Sequence, residues 1–270
     1  MRYLPLLAMP LILASCFTLP DKKKIEEQLE KTKTVNDHTY TDSRDTYMVT
    51  RTTKANGPIE EDGAVSLIAT TDQLKTASGS YLDHFKEGTW IYNNNIKNIT
   101  TVTWSKYEIG QFGIETNLST KGSTRTIDDH TELYHLPVKE DSILIRFYAD
   151  TLAARAKRRP YEDILTDLME QKGLKLTQTT NKILEDSNNV ISITSLIFTD
   201  STGKSKEVSM EVASAQLPTG FLAFATMYHE KDQPSARIMF DGVLTNLYLN
   251  KARFYNPYKR IERTKIGRRN

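Results

Sequence analysis

The chain has 270 residues, with 36 Lys and Arg against 34 Asp and Glu, and 38% of its residues are apolar. This length suffices for a domain with a substantial core, and the apolar content excludes a fully disordered chain. A formal net charge of +2 argues against general nucleic-acid binding, and a single cysteine excludes a disulfide scaffold and any site that needs several thiolates.

The first sixteen residues have the order of parts of an export signal. Arg2 supplies a positive charge, an apolar stretch ends at Leu13, and two small residues precede Cys16. The apolar stretch is shorter than the ~20 residues that a membrane-spanning helix needs. We therefore expect residues 1–15 to be a signal peptide that is removed before Cys16.

The sequence Leu13-Ala14-Ser15-Cys16 resembles the lipobox of bacterial lipoproteins. In that family the signal is cleaved at the position of the Ser15–Cys16 bond, and the cysteine carries acyl chains. The resemblance implies palmitate or a similar chain on Cys16, and two or three such chains anchor a protein firmly in a membrane. The alternative interpretation is that Cys16 is a buried thiol in an apolar N-terminus.

The residue after the predicted acyl acceptor bears on localisation. In Gram-negative lipoproteins an Asp at this position commonly retains the protein in the inner membrane, whereas this chain has Phe17. The resemblance therefore implies a lipid-anchored protein of the cell envelope, at the outer membrane facing the periplasm or the surface. In a bacterium with one membrane, the same protein would lie on the outer face.

Two segments precede the more regular part of the sequence. Residues 16–46 are rich in Lys, Glu, Thr and Asp and have too few apolar residues at helical spacing for a packed helix, so they are predicted to form a lipidated tether. Residues 47–100 contain turn signals such as Asn56-Gly57-Pro58 and are predicted to form a small β-rich segment. Its expected strands are Tyr47–Thr52, Ala64–Thr70, Ser80–Phe85 and Thr89–Asn93.

One motif in this β-rich segment has two interpretations. The stretch Gly88-Thr89-Trp90-Ile91-Tyr92 resembles the core of MORN-like repeats, which occur on some bacterial surface proteins. Such repeats bury their faces against neighbouring copies, and this segment contains one copy. The alternative is a plain β-hairpin with Trp90 and Tyr92 on the same side of a strand.

The sequence from residue 101 to residue 250 predicts strands, a helix, an antiparallel meander and a closing helix. The first helix is indicated by Pro160 in its first turn, by acidic residues after it, by an apolar stripe from Tyr161 to Met169, and by Gly173 as its stop. A polar segment, Asn117–Thr131, precedes the apolar strand Ser142–Ala149. The other expected strands are Val102–Ile109, Phe112–Thr116, Leu174–Leu184, Val190–Thr199, Glu207–Ala213 and Phe221–Tyr228, and the closing helix is Pro234–Asn250.

This order predicts an α+β domain, an antiparallel sheet with helices packed on it. From Trp104 to Leu249 it is similar to the PsbP-like and DcrB-like extracytoplasmic domains. The similarity consists of an opening WSKYEIGQFGIE, a helix beginning near Tyr161, a long hairpin, and GFLAFATMY before a last amphipathic helix. It implies a non-enzymatic lipoprotein or an assembly subunit, as most members of those families are.

The C-terminal residues 251–270 form a basic tail in which aromatic residues alternate with cations. Such a tail suits an anionic partner, such as lipid headgroups, lipopolysaccharide or an acidic protein, and the alternative is a solvated terminus. A second basic cluster spans residues 155–159. The candidate contacts in the tail are Lys251, Arg253, Lys259, Arg260, Arg263, Lys265, Arg268 and Arg269.

Motifs for catalysis or metal binding are incomplete. The fragment Gly203-Lys204-Ser205 lacks the earlier glycine of a phosphate-binding loop, and we expect a hairpin turn there. The segment from Asp128 to His135 offers carboxylates and imidazoles, but without a helical His pair it is predicted to be a loop, with no metal or cofactor. Dispersed carboxylates such as Glu108 and Glu115 leave open a hydrolase whose acids meet only in the fold.

The sequence as a whole predicts a lipid-anchored, non-enzymatic lipoprotein that acts as a binding or assembly module for a protein or an envelope component. The first alternative is an envelope hydrolase with dispersed acidic residues. The second is an immunity lipoprotein that blocks a secreted toxin, a use that the DcrB-like resemblance also implies.

Overall fold

A computed structural model describes residues 34–41, 46–52, 62–69, 76–95, 98–109, 112–139, 141–155, 159–200 and 207–256. In these residues sixteen strands form two sheets, and every strand pair is antiparallel. The predicted α+β class with an antiparallel sheet is broadly consistent with this structure, which is mostly antiparallel β-sheet in two sheets with few helices.

The first sheet, which we call the N-terminal sheet, is an antiparallel meander completed by two short strands from the end of the chain. The chain runs through seven neighbouring strands in order, and the last of them pairs with β15, next to β16. Its strands are β1 (Thr34–Thr41), β2 (Thr46–Thr52), β3 (Asp62–Ala69), β4 (Thr76–Leu82), β5 (Phe85–Asn95), β6 (Asn98–Ile109), β7 (Ile114–Ser119), β15 (Tyr248–Leu249) and β16 (Ala252–Arg253).

The second sheet, the C-terminal sheet, has the strand order β11-β12-β13-β14-β10-β9-β8. The predicted meander is confirmed, because β11, β12, β13 and β14 pair successively. Strand β14 then pairs with β10, which brings the meander next to the earlier strands. The strands are β8 (Ser123–Asp128), β9 (Thr131–Val138), β10 (Asp141–Asp150), β11 (Leu174–Glu185), β12 (Val190–Asp200), β13 (Val208–Leu217) and β14 (Gly220–His229).

The described helices are short. They are α1 (Leu152–Arg155), α2 (Tyr161–Glu170), a 3₁₀ turn (Glu230–Asp232) and α3 (Gln233–Thr245). Helix α2 begins where the apolar stripe predicted, with Glu162 and Asp163 in its first turn, where the helix dipole favours acids. It ends before Gly173, whose φ of 80° is the left-handed conformation expected of a helix stop.

Two apolar clusters hold the described residues together. The main core is built from both sheets and α3, which contacts β7 of one sheet and β14 of the other. The second cluster lies on the opposite face of the C-terminal sheet, where Tyr161 of α2 stacks on Tyr148 of β10 with ring centroids 4.9 Å apart. Strand β10 serves both clusters because successive side chains point to opposite faces, with Phe147 in the main core and Tyr148 in the second.

The predicted end of the closing helix is wrong. Helix α3 ends at Thr245, and Tyr248 pairs with Glu115 of β7 instead of continuing the helix. Leu247 and Tyr248 continue the apolar spacing of the helix, and this spacing indicates which side chains are buried. A short strand can bury side chains as well as a helix does, so the spacing did not reveal where the helix ends. Leu247 is fully buried after the chain has left the helix.

The prediction of a loop from Asp128 to His135 is also wrong, because β9 begins at Thr131, and the polar segment Asn117–Thr131 contains strand residues as well. Strand β7 continues to Ser119, and β8 occupies Ser123–Asp128, paired with β9. Strand β8 is almost entirely exposed, so its sequence lacks the alternation of apolar and polar residues that identifies a half-buried strand. Backbone pairing with β9, a strand with an apolar face, accounts for its conformation.

Two predicted segment boundaries differ from the structure. Strand β1 lies within the predicted tether and pairs with β2, so the tether prediction is wrong for Thr34–Thr41. The boundary at residue 100 falls inside β6, which pairs with β5 of the predicted β-rich segment. Trp90 and Tyr92 are both buried on the same side of β5, as expected for a hairpin.

Because Tyr134 of β9 is buried, we expect the protein to lose stability at alkaline pH. The side chain is buried in the main core, its hydroxyl donates to the Ser119 carbonyl at 2.6 Å, and burial raises the pKa of Tyr134 to about 12. The pKa of Tyr134 in the folded protein exceeds the ordinary tyrosine pKa of ~10. The neutral phenol therefore contributes fully to the free energy of unfolding below pH ~10, and this contribution falls by roughly 2–3 kcal/mol as the pH rises to ~12.

We expect Tyr134→Phe to lower the free energy of unfolding at neutral pH but to weaken its decline between pH ~10 and ~12. Urea unfolding of both proteins across this pH range, followed by circular dichroism, measures how steeply the free energy of unfolding declines with pH in each protein. An equally steep decline in both proteins would contradict the prediction.

Candidate functional site

An open groove of about 480 Å³ lies on the C-terminal sheet, beside the turn that joins β11 to β12. Its apolar part consists of Ile183, Val190, Ala215 and Phe221. Ile183 and Val190 are 65% and 56% exposed, and both lie at the free end of the β11–β12 hairpin. Adjacent exposed side chains of this size are uncommon on a soluble surface and are typical of contact sites.

The polar part of the groove offers amides and hydroxyls. Asn188 and Asn189 come from the turn, Ser192 from β12, and Ser214 and Gln216 from β13. None of the residues that line this groove is charged. Groups of this kind hydrogen-bond a peptide backbone or a sugar, and they supply neither a nucleophile with a base nor a set of metal ligands.

A buried carboxylate fixes the turn at one end of the groove. Asp186 accepts hydrogen bonds from the backbone N–H groups of Asn188 at 2.7 Å and Asn189 at 2.8 Å. Its second oxygen accepts from the backbone N–H of Asn256 at 2.6 Å, close to the end of the chain. The Asn189 side chain donates to the carbonyls of Arg253 and Phe254, so the turn also holds the chain segment that follows β16.

The second basic cluster lies at the other end of the groove. The Arg155 guanidinium is 4.3 Å from the centroid of the Phe221 ring and donates to the Arg159 carbonyl. Arg159 forms an exposed ion pair with Asp167 of α2 at 2.6 Å, which raises the pKa of Arg159. Residues 156–158 lie outside the described part of the chain.

A buried lysine lies in an aromatic box within the main core. The Lys86 Nζ atom is 4.7, 5.6 and 5.3 Å from the ring centroids of Trp90, Tyr92 and Trp104, and it donates to the Tyr92 hydroxyl. Asn117 pairs with the Lys86 backbone through both of its amide atoms, each at 2.7 Å. Because both tryptophans are fully buried, this box stabilises the fold through cation–π contacts and has no opening for a ligand.

The carboxylates considered for a hydrolase do meet, but on the surface. Glu108 and Glu115 are directly opposite each other on β6 and β7, and the Lys106 Nζ atom lies 2.7 Å from one and 3.2 Å from the other. The hydrogen bond to Glu108 contributes most to a raised pKa of Lys106. A lysine shared between an exposed and a partly exposed carboxylate is a surface ion-pair network rather than an acid and base in a cleft.

Asp128 and His130, next to β8 and β9, make structural contacts. Asp128 accepts from the backbone N–H of His130 at 2.8 Å, and the His130 ring contacts the Ala149 carbonyl at 3.2 Å. In the described residues no group of three or more His, Cys, Asp or Glu side chains is arranged to hold a metal ion.

The structure describes two of the predicted basic contacts. Arg253 donates to the carbonyls of Thr245 and Tyr255, at 2.8 and 3.1 Å, and its guanidinium lies 5.8 Å from the Tyr248 ring. Arg253 thus ties the segment after β16 to the end of α3, and its role as a contact for an anionic partner stays a prediction. Lys251 is exposed.

The first residues of the predicted basic tail belong to the fold. Phe254 and Tyr255, which the sequence placed in a basic tail, are fully buried in the main core. The remaining candidate contacts, Lys259, Arg260, Arg263, Lys265, Arg268 and Arg269, lie outside the described residues, as do Ser15, Cys16 and the Gly203-Lys204-Ser205 fragment.

No helix in the described part of the chain is long and apolar enough to cross a membrane. No protein-family model and no curated protein matches the sequence.

Several solved structures are similar to about half of the chain. The Ran-binding protein Mog1p of Saccharomyces cerevisiae is 14% identical with a TM-score of 0.37, over 55% of this chain and 96% of its own. The PsbP protein of the cyanobacterium Synechocystis is 9% identical with a TM-score of 0.38, over 54% and 92%. A Mog1 point mutant is 11% identical with a TM-score of 0.36, over 54% and 96%. A PsbP protein is thus among the similar structures.

The groove was not predicted from the sequence. Its residues come from the ends of four strands and one turn, and each position has an ordinary role when the sequence is considered by itself. The signals that were present are Ile183 next to Leu184, which gives both faces of β11 an apolar residue near its end, and Val190 directly after Asn188-Asn189, where a solvent-exposed hairpin end would have polar residues.

Proposed function

We propose that this protein is a lipid-anchored lipoprotein of the bacterial envelope that acts as a non-enzymatic binding module. The observation that carries the proposal is the sequence Leu13-Ala14-Ser15-Cys16, in which the only cysteine of the chain follows a short apolar stretch and two small residues. Acylation of Cys16 would attach the protein to the membrane, and Phe17 favours the outer membrane where two membranes are present.

The arrangement of the described side chains supports binding rather than catalysis. The groove presents amides, hydroxyls and apolar side chains, which recognise a partner without reacting with it. The carboxylate pair that the sequence offered for hydrolysis is bridged by Lys106, with Glu108 exposed and Glu115 partly exposed. A binding module held at a membrane by acyl chains needs only a rigid scaffold and an accessible surface, and the two sheets provide both.

Replacing the predicted acyl acceptor tests the anchoring. We expect Cys16→Ser to abolish incorporation of a palmitate analogue and to shift the protein from the membrane to the soluble fraction, because no acyl chain is attached. Metabolic labelling, intact mass of the protein purified from its native membrane and cell fractionation measure these effects. The wild-type mass should match residues 16–270 plus acyl chains.

A second variant separates the position of the thiol from its presence. Ser43→Cys in the Cys16→Ser background restores one cysteine to the chain, at a residue that has no lipobox before it. We expect this double variant to remain unlabelled and soluble. Membrane retention of the Cys16→Ser protein would refute the lipid anchor.

A further inference from the structure

The floor of the groove is a row of side chains that neighbouring strands present on one face of the C-terminal sheet. Ser192 of β12 lies directly opposite Ile183 of β11 on one side and Ser214 of β13 on the other. Neighbouring strands are about 4.8 Å apart, so the two serine side chains are adjacent. Gln216 lies two residues after Ser214, on the same face of β13, and also lines the groove. The floor thus offers two hydroxyls and an amide next to an exposed isoleucine.

The backbone of the floor strands is already used by the sheet. Strand β12 is paired with β11 and β13, and β13 is paired with β12 and β14, so each has a partner along both edges. A polypeptide that binds by adding a strand needs a free strand edge, which this floor does not offer. A ligand in the groove is therefore recognised by side chains.

The charges around the groove have mixed signs. No charged residue lines it. At its margin the Glu162 carboxylate accepts a hydrogen bond from the Ser214 hydroxyl at 3.4 Å, and Glu185 lies opposite Val190 in the β11–β12 pair. The Arg155 guanidinium lies at the other end. A neutral floor between two carboxylates and one cation complements a ligand that has no charge of its own, because such a ligand brings no unpaired charge into the groove.

On this basis we propose that the groove binds a short, neutral oligosaccharide. Hydroxyl and carboxamide groups both donate and accept hydrogen bonds, as the hydroxyls of a sugar do, so Ser192, Ser214 and Gln216 hydrogen-bond adjacent hydroxyls of the ligand. The exposed side chains of Ile183 and Val190 pack against the C–H groups of a sugar ring. The volume of about 480 Å³ is within the range of small-molecule sites, which combine apolar walls with a few polar groups in this way.

This inference rests on the proposed binding function and names the ligand class of its site. The full-length chain in detergent is applied to a printed array of neutral, acidic and basic oligosaccharides, and calorimetry measures its affinity for the neutral oligosaccharide that binds best. We expect binding to be confined to neutral oligosaccharides and to be unchanged by added salt. The affinity should fall by roughly two- to tenfold for Ser214→Ala, which removes one hydrogen-bonding group, and further for Ser192→Ala combined with Ser214→Ala.

A matched control is available on the same strand. Ser209 and Ser214 are both half-buried in β13, but Ser209 lies opposite Tyr228 and does not line the groove. We expect Ser209→Ala, which removes the same hydroxyl group elsewhere, to leave the affinity unchanged. Gln216→Trp places a large side chain at an exposed position in the groove and should abolish binding by filling it.

Four results would overturn the proposal. These are an array on which no neutral oligosaccharide is bound, an equal loss of affinity in the Ser209→Ala and Ser214→Ala variants, oligosaccharide binding that survives Gln216→Trp, and capture of peptides from a random library that depends on Ser214 while no oligosaccharide is bound. The last result would assign the groove to a polypeptide. None of these measurements depends on acylation, so a failed groove is distinguishable from a failed anchor, which the labelling of Cys16 reports separately.

Discussion

The substitution Gly242→Ala is expected to destabilise the protein, although alanine is the better helix former. Gly242 lies inside α3, and a Cβ atom added there would be 2.3 Å from the Trp104 ring. Trp104 is fully buried, and its indole N–H donates to the Tyr92 hydroxyl at 3.0 Å, so the ring has no free space into which it can move. Helix propensity alone would stabilise the variant by about 1 kcal/mol.

Overpacking of this kind typically costs 1–3 kcal/mol and occasionally more. We expect a net loss of about 2 kcal/mol in the free energy of unfolding, or roughly 4–8 °C in melting temperature. Thermal unfolding followed by circular dichroism measures this loss. Both tryptophans of the chain lie in the aromatic box, so their fluorescence reports whether the box rearranges.

A double variant shows whether the contact with Trp104 is the cause. Trp104→Phe removes the outer ring atoms that a Cβ atom at residue 242 would meet. In that background Gly242→Ala should be neutral or stabilising by up to about 1 kcal/mol, as helix propensity predicts. Two results would show that the contact with Trp104 is not the cause. These are a Gly242→Ala variant that is more stable than the wild type, and an equal loss of unfolding free energy with and without Trp104→Phe.

The elements that the sequence predicted well are those whose burial pattern repeats at one spacing. The stripe from Tyr161 to Met169 faces the second cluster, so the period of α2 is visible in the sequence. Strands β12 and β13 contribute alternating side chains to the two clusters, and polar residues separate the strands of the meander. In both cases burial at a regular spacing determines the local pattern.

The elements that were missed depend on partners distant in sequence. Strand β8 is held by pairing with β9, and the Thr124 hydroxyl is hydrogen-bonded to the Tyr107 hydroxyl of the other sheet. Asn117 is buried because it pairs with the backbone of Lys86, thirty-one residues earlier. The groove belongs to this class, since it exists only where the hairpin end, Phe221 and Arg155 come together.

We expect a second large loss of stability when the hydrogen bonds of Asp186 are removed. Removing this carboxylate by Asp186→Ala leaves the backbone N–H groups of Asn188, Asn189 and Asn256 without their acceptor in a buried environment. Hydrogen bonds to a charged acceptor contribute about 1.5–3 kcal/mol each, and water will replace some of them in the variant. We expect the free energy of unfolding to fall by about 3 kcal/mol.

The same variant should loosen the end of the chain before the rest of the fold. Asn256 would lose its tie to the turn, so the N–H groups of residues 254–256 should exchange with solvent faster and trypsin should cleave after Arg253. Hydrogen exchange and limited proteolysis at neutral pH measure both effects. Asp129→Ala, which removes an exposed Asp from the β8–β9 turn, is the matched control and should change stability by less than about 0.5 kcal/mol.

Asp186→Asn distinguishes the shape of the acceptor from its charge. The amide keeps one oxygen, so it can accept from the turn or from Asn256, and its NH₂ group then faces a backbone donor on the other side. We expect Asp186→Asn to lower the free energy of unfolding by more than the control Asp129→Ala and by less than Asp186→Ala. If Asp186→Ala leaves cleavage after Arg253 unchanged, the segment after β16 is held by its buried aromatic residues alone, and the turn does not determine where the basic residues leave the fold.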